Sequence, residues 1–175
     1  MTKHLNLLAL SFAVLLLTGC ASPASKEGMT TSNYQATKKF DQSVQVKTAG
    51  GKETGADGTN ISDEDFKAAL EASIQQSGLF KNVVQVNNAD YELSVAITEL
   101  DKPMFGLTFT VNMEAHWVLV KKSDKTVVMK KAIKSSATAT FGDAAAAVTR
   151  LKLAVEGAAK NNIELGLREI ALLSL

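Results

Sequence analysis

The chain is poor in the residues that carry covalent and metal chemistry. Its 175 residues include one cysteine, two histidines and two prolines. A single cysteine cannot form an internal disulfide, and so few sulfur and imidazole groups do not make a typical zinc site. An excess of one charge is also missing, since 19 basic residues face 18 acidic ones. This balance argues against a nucleic-acid-binding protein, which normally has a basic patch or a high isoelectric point.

Long apolar runs are scarce too, and the one that stands out lies at the beginning of the chain. Residues 5–17 are mostly apolar and follow the basic residue Lys3. This run is too short to span a bilayer comfortably, which takes about 20 residues. Its length after a basic start is typical of a secretory signal peptide. We therefore predict that the protein is exported and that residues 1–19 are removed.

The only cysteine, Cys20, directly follows this run in the sequence Leu-Thr-Gly-Cys at residues 17–20. This sequence resembles the lipobox of bacterial lipoproteins, which is a leucine, two small residues and a cysteine. The resemblance implies that Cys20 receives a diacylglyceryl group and becomes the N-terminus of the mature protein. Two or three acyl chains would anchor it firmly, because each buried CH₂ contributes about 0.8 kcal/mol. The alternative is an ordinary signal peptide that is cut after Ala21 and carries Cys20 away.

The residues after Cys20 bear on the destination of the protein and on how its domain is attached. In lipoproteins of this kind an aspartate after the cysteine retains the protein in the inner membrane, whereas here Ala21 and Ser22 follow. The resemblance therefore implies the periplasmic face of the outer membrane. Residues 20–33 are rich in serine, threonine and alanine and lack an apolar period, which predicts a flexible, lipidated tether with a reach of about 40 Å. A single domain is then expected over residues 34–175.

Apolar periodicity predicts two helices and five strands in this domain. The clearest helix is expected over residues 62–77, with Ser62 as its N-cap and Gly78 at its C-terminal end. A long second helix is expected over residues 143–173. Alternating apolar and polar residues indicate strands with one buried face. The predicted strands cover residues 43–47, 79–86, 91–98, 108–119 and 127–141.

The element order β-α-β-β-β-β-α predicts an α+β fold. Strands with one apolar face need a cover, and the two amphipathic helices supply it. Both helices should pack on one face of an antiparallel or mixed sheet, which gives a two-layer sandwich. On the second helix Leu151 and Val155 fall on the apolar side, whereas Arg150 and Glu156 fall on the polar side. The uncovered face of the sheet should stay hydrated or meet a partner.

A resemblance covers roughly residues 40–173. Its parts are a helix ending in "SGLF", a short strand, the stretch "ADYELSVAI", a long hairpin with the tryptophan of "HWVLV", and a terminal helix. This pattern is similar to a group of small bacterial envelope lipoproteins, whose folded part resembles the N-terminal domain of the translocation protein TolB. The group includes lipopolysaccharide-assembly, transport-auxiliary and polysaccharide-export lipoproteins. The resemblance is one of elements, so it implies a fold and an envelope setting but no functional residue beyond Cys20.

Catalytic patterns are not evident in the sequence. His116, the only histidine after the predicted signal peptide, lies on the polar face of a strand beside Glu114, which favours a surface residue over a metal ligand. No Gly-x-Ser-x-Gly elbow is present. Glu92 and Glu114 could face each other across strands, as the carboxylates of a glycosidase do, but a thin two-layer fold offers no obvious cleft. We assign no catalytic residue, metal or cofactor.

The most suggestive feature after the anchor is the stretch "DKPMFGLTF", residues 101–109. It places Pro103, Met104, Phe105 and Leu107 in an expected loop, where polar residues are usual. Exposed apolar clusters often mark contacts, so these four residues form a candidate surface for a protein partner or a lipid. The alternative is that Phe105 folds back and plugs the end of the core.

These observations favour a membrane-anchored, non-enzymatic binding or assembly module in cell-envelope transport or biogenesis. Its partners would be the membrane, through the N-terminal lipid, and an envelope protein complex, with homo-oligomers conceivable through exposed strand edges. The alternative is a protein that binds a lipid or glycolipid between helices and sheet. An envelope hydrolase is the least favoured function, because no catalytic set is visible.

Overall fold

Three helices and five strands account for the regular structure of the computed structural model, which describes residues 22–52, 60–85 and 88–175. The predicted signal peptide and Cys20 lie outside the described residues. The elements are α1 (Lys26–Met29), β1 (Phe40–Ala49), α2 (Asp63–Ser77), β2 (Phe80–Val83), β3 (Tyr91–Asp101), β4 (Phe109–Lys121), β5 (Val127–Ala139) and α3 (Ala147–Ala171).

The strands form one mixed sheet in the order β2-β1-β3-β4-β5. β1 runs parallel to both β2 and β3, whereas β3, β4 and β5 are joined as antiparallel neighbours. The α+β class and the mixed sheet agree with the sequence analysis. The parallel pairing brings the C-terminal ends of β1 and β3 to the same end of the sheet, where β4 and α3 begin.

Alternation in β3 and β4 buries one face of the sheet, as predicted. Val95 lies opposite Trp117, and both are almost completely buried. The predicted helix cap is also confirmed, since the Ser62 hydroxyl accepts a hydrogen bond from the Asp65 amide at 3.0 Å. Gly78 ends α2 with a φ of 65°, a left-handed conformation that glycine adopts without strain.

α3 begins at Ala147, four residues later than predicted. The Asp143 carboxylate accepts hydrogen bonds from the amide and the hydroxyl of Thr140, at 2.7 and 2.8 Å. These bonds hold a turn where the sequence predicts the first turn of the helix, and they also hold the pKa of Asp143 below its ordinary value.

Two side chains predicted on the polar side of this helix are in fact buried. Arg150 and Glu156 are only 3% and 6% exposed. The prediction was wrong because it assumed that α3 packs on the sheet alone. The segment before β1 also packs against α3 and binds Glu156. The start of β4 and the loop after β5 contact Arg150.

Candidate functional site

Residues 22–33 pack onto the domain, although the sequence predicts that they belong to a flexible tether over residues 20–33. Ala24, Met29 and Thr31 are buried, and α1 packs against both α2 and α3. The Thr31 amide donates to the Ser73 hydroxyl of α2 at 3.0 Å. The composition of the segment misled the prediction, because its few apolar side chains fill a groove between two helices without any period of their own.

Glu156 of α3 holds this segment. Its Oε1 accepts hydrogen bonds from the amide and from the hydroxyl of Ser25, both at 2.8 Å. A Cβ on Gly28 would lie 2.2 Å from the Glu156 carboxyl carbon, so only glycine lets α1 approach this closely. The Lys152 ammonium, 3.7 Å from the same oxygen, balances the charge of the buried carboxylate.

The first described residues are also fixed. The Ala24 amide donates to the Asn60 carbonyl at 3.0 Å, and the Lys152 ammonium donates to the Ser22 hydroxyl at 2.9 Å. Cys20 precedes Ser22 by two residues, which can span only about 7 Å. A flexible tether over residues 20–33 would instead allow about 40 Å between Cys20 and the domain. The packed segment therefore leaves at most about 7 Å of chain between the first described residue and the candidate attachment point.

The candidate contact loop, residues 102–108, lies at this same end of the molecule. The Lys102 ammonium donates to the Asn60 side-chain oxygen at 2.7 Å, while the Asn60 backbone carbonyl binds Ala24. Asn60 thus connects the base of the loop directly to the N-terminal segment. Sequence reasoning missed Asn60, because a lone asparagine beside a glycine-rich stretch carries no pattern.

Apolar side chains of this loop point into solvent, so Phe105 does not plug the core. The exposed fractions are 85% for Met104, 86% for Phe105 and 78% for Leu107. Pro103 is half-buried. Gly106 has a φ of 150°, a backbone conformation that few other residues adopt. The four residues proposed as a contact surface are therefore together, and three of them are highly exposed.

A second loop brings one more exposed aromatic residue to this end. Phe141, 65% exposed, follows β5, and its ring centroid lies 5.4 Å from the Arg150 guanidinium. The ring centroid of Phe109, a buried residue that follows the contact loop, lies 5.6 Å from the same guanidinium. Arg150 also donates to the carbonyls of Ala144 and Ala145. It thereby ties together the two loops and the start of α3.

The uncovered face of the sheet carries paired charges. Glu114 lies 3.2 Å from the Lys134 ammonium and 3.3 Å from Nε2 of His116, an exposed surface residue as predicted. The hydrogen bond from Lys134 holds the pKa of Glu114 below its ordinary value. No group of three potential metal ligands occurs among the described residues.

The two glutamates considered as a catalytic pair do not face each other. Glu92 lies opposite Val120 and pairs with Lys47 at 2.8 Å, whereas Glu114 lies opposite Glu99. Val120 lies six positions after Glu114 in β4, which is about 20 Å along the strand. Glycosidase carboxylates lie within about 10 Å of each other. The pairing considered in the sequence analysis is therefore wrong.

Side chains fill the space between helices and sheet. Trp117, Phe66, Leu70 and Leu167 are completely buried there. A hollow at the edge of this layer, beside Ile61 and other residues, measures about 30 Å³, which is room for one water. Within the described residues this packing offers no support for a lipid or glycolipid held between the layers. Across the same residues, no helix combines the length and apolarity that a membrane span requires.

Comparisons with known proteins identify relatives in fold only. No protein-family model and no curated protein sequence matches the chain. The structure is similar to a DUF330-family protein from Xanthomonas campestris, with a TM-score of 0.54 and 14% identity over 84% of this chain and 94% of that one. A hypothetical protein from Chlamydia trachomatis has a TM-score of 0.51 and 10% identity, covering 74% and 93%. A PelC dodecamer from Paraburkholderia phytofirmans has a TM-score of 0.50 and 17% identity, covering 81% and 95%.

Proposed function

We propose that the protein is a bacterial envelope lipoprotein that is anchored through acylated Cys20 and acts as a non-enzymatic binding or assembly module. The observation that carries the proposal is the lipobox-like sequence at residues 17–20, directly after a signal-like apolar run. The fold shared with bacterial proteins, the PelC dodecamer among them, is compatible with such a role. On the open sheet face Glu92 pairs with Lys47 and Glu114 pairs with Lys134, so neither carboxylate stands as an isolated charge.

The anchor is tested by the chemical state of the N-terminus. The full-length chain is expressed in a Gram-negative host, and its N-terminal peptide is analysed by mass spectrometry. We expect a peptide that begins at Cys20 and carries a diacylglyceryl group, and we expect the protein in the membrane fraction. The Cys20→Ser variant is the control and should lack the acyl mass. A mature chain that begins at Ser22 would contradict the proposal, because that is the product of a cut after Ala21.

The destination of the protein is a separate part of the proposal. We place the domain on the periplasmic face of the outer membrane, because Ala21 rather than an aspartate follows Cys20. Membrane fractionation on a density gradient should find the protein in the outer membrane and the Ala21→Asp variant in the inner membrane. Equal distribution of both chains would exclude sorting by this position.

The partners are proposed to be an envelope protein complex and, as a second possibility, further copies of the same chain. The PelC neighbour forms a dodecamer, and β2 and β5 are the two outermost strands of the sheet, so both offer edges for pairing. Crosslinking in the host followed by mass spectrometry would identify a complex. Light scattering of the purified protein would give its number of copies.

A further inference from the structure

We propose that the exposed apolar residues at the N-terminal end form a second membrane contact, which inserts into the same lipid leaflet as the Cys20 anchor. This apolar tip comprises Met104, Phe105, Leu107 and Phe141. The inference rests on the proposed function, because it takes the membrane that holds Cys20 as the occupant of the surface. It goes further in assigning the orientation of the domain and the residues that fix it.

The position of the attachment point is the first argument. Ser22 and Ala24 are held by Lys152 and by Asn60, and Asn60 also binds Lys102 at the base of the loop. Only Ala21 separates Cys20 from Ser22, so an acylated Cys20 cannot move far from this end of the domain. The end that carries the apolar tip must therefore stay close to the membrane surface.

The character of the surface is the second argument. Three neighbouring side chains of the loop are more than three-quarters exposed, and Phe141 adds a fourth from a different loop. Isolated exposed apolar residues are ordinary, whereas a group at one tip indicates a contact. A tip is suited to insertion between lipid headgroups, since its backbone stays outside the hydrocarbon while side chains enter it.

A lipid membrane as the occupant accounts for both the exposed apolar side chains and their place beside the attachment point. The two or three acyl chains proposed on Cys20 hold the chain on the membrane, but they do not fix how the domain is oriented on it. The apolar tip would add a contact at a fixed place on the domain and would prevent the domain from rotating about its short attachment. The polar and charged residues Asp101, Lys102 and Asp143, which flank the tip in sequence, would lie at headgroup level.

The test uses two single-tryptophan additions to the full-length chain, purified from host membranes. Phe105→Trp places a probe in the tip. Val127→Trp is the matched control, because Val127 is also exposed but begins β5 opposite Val120, near the far end of β4 and roughly 35 Å from the tip. Both chains keep Trp117, which is completely buried and contributes the same background. Each is reconstituted in phosphatidylethanolamine–phosphatidylglycerol vesicles, with and without lipids brominated on their acyl chains.

We expect a blue shift and loss of most of the added emission in Phe105→Trp, and neither effect in Val127→Trp. Equal quenching of the two variants, or quenching of neither, would overturn the inference. A spectral change of Phe105→Trp that depends on protein concentration without lipid would instead identify a second copy as the occupant. An acylated Cys20 together with an unquenched Phe105→Trp leaves the anchor intact and rejects insertion. A quenched Phe105→Trp on a chain without acyl groups rejects the anchor and retains insertion.

Discussion

At the scale of single residues, buried polar groups fix how the helices sit on the sheet. The Trp117 indole donates to the Asn162 side-chain oxygen at 3.0 Å, and Asn162 in turn donates to the Ile133 carbonyl at 2.8 Å. Both Trp117 and Asn162 are completely buried. These bonds connect α3 with β4 and β5 at a single point. A polar group in this place is costly unless every partner is present.

The first prediction concerns this connection. Asn162→Leu removes the acceptor of the Trp117 indole and the donor to Ile133, and each buried group left unsatisfied costs about 1–3 kcal/mol. We expect a loss of about 3 kcal/mol in the free energy of unfolding, measured by urea denaturation. Asn161→Leu is the control, since the exposed Asn161 makes one hydrogen bond to a carbonyl and should cost less than about 1 kcal/mol. If Asn162→Leu lowered the free energy of unfolding no more than Asn161→Leu does, the buried hydrogen bonds of Asn162 would not stabilise the fold.

At the scale of elements, a carboxylate fastens β1 to the segment that enters β3. Asp90 Oδ2 accepts hydrogen bonds from the amide and the hydroxyl of Ser43, at 2.8 and 2.7 Å. The Asp90 carbonyl also accepts a hydrogen bond from the amide of Lys122, which lies in the turn between β4 and β5. The two bonds from Ser43 hold the pKa of Asp90 below its ordinary value of 3.8.

A pH dependence follows from this fastening. Because the folded pKa is lowered, the carboxylate contributes stability that is present above pH 3.8 and is lost as the pH falls through the folded value. At pH 7 we expect Asp90→Asn to cost about 1 kcal/mol, as for an exposed hydrogen-bonded group. The difference from the parent chain should shrink below pH 3.8. Urea denaturation across this pH range measures the difference in the free energy of unfolding. Asp41→Asn, in β1 like Ser43, is the control. A difference independent of pH would contradict the role of the charge.

At the scale of the whole molecule, the topology gathers distant segments at one end. β1 runs parallel to β3, so both strands finish beside the starts of α2, β4 and α3. The N-terminal segment reaches this end by packing along α3, where Glu156 binds Ser25. Ala24 and the base of the loop at Lys102 both bind Asn60 for this reason, although they lie far apart in the sequence.

Because Ala24, Met29 and Thr31 are buried, the folded domain begins before residue 34, the boundary predicted from the sequence. A chain that begins at residue 34 lacks buried Met29 and leaves Glu156 without its Ser25 partner. We expect it to be less stable than the chain from residue 22 by at least about 3 kcal/mol. Thermal and urea unfolding measure the difference. A chain that begins at residue 24 is the matched control and should be nearly unaffected. If removal of residues 22–33 changed nothing, the segment would be a tether after all.

The sequence alone determined the features that depend on neighbours along the chain. Alternation in residues 91–98 and 108–119 specified two strands and their buried faces, and Ser62 and Gly78 specified the ends of α2, because caps and periodicity are local. The exposed loop with Met104 and Phe105 was also identified as a candidate from composition alone.

Only the tertiary structure decided how these parts meet. The burial of Glu156 and Arg150, the separation of Glu92 from Glu114 and the packing of residues 24–31 all depend on strand order, register and groove shape. These are contacts between residues far apart in sequence, where no period or short motif records the partner. For the same reason the sequence predicts a tether with a reach of about 40 Å, whereas the fold packs residues 24–31 against α2 and α3.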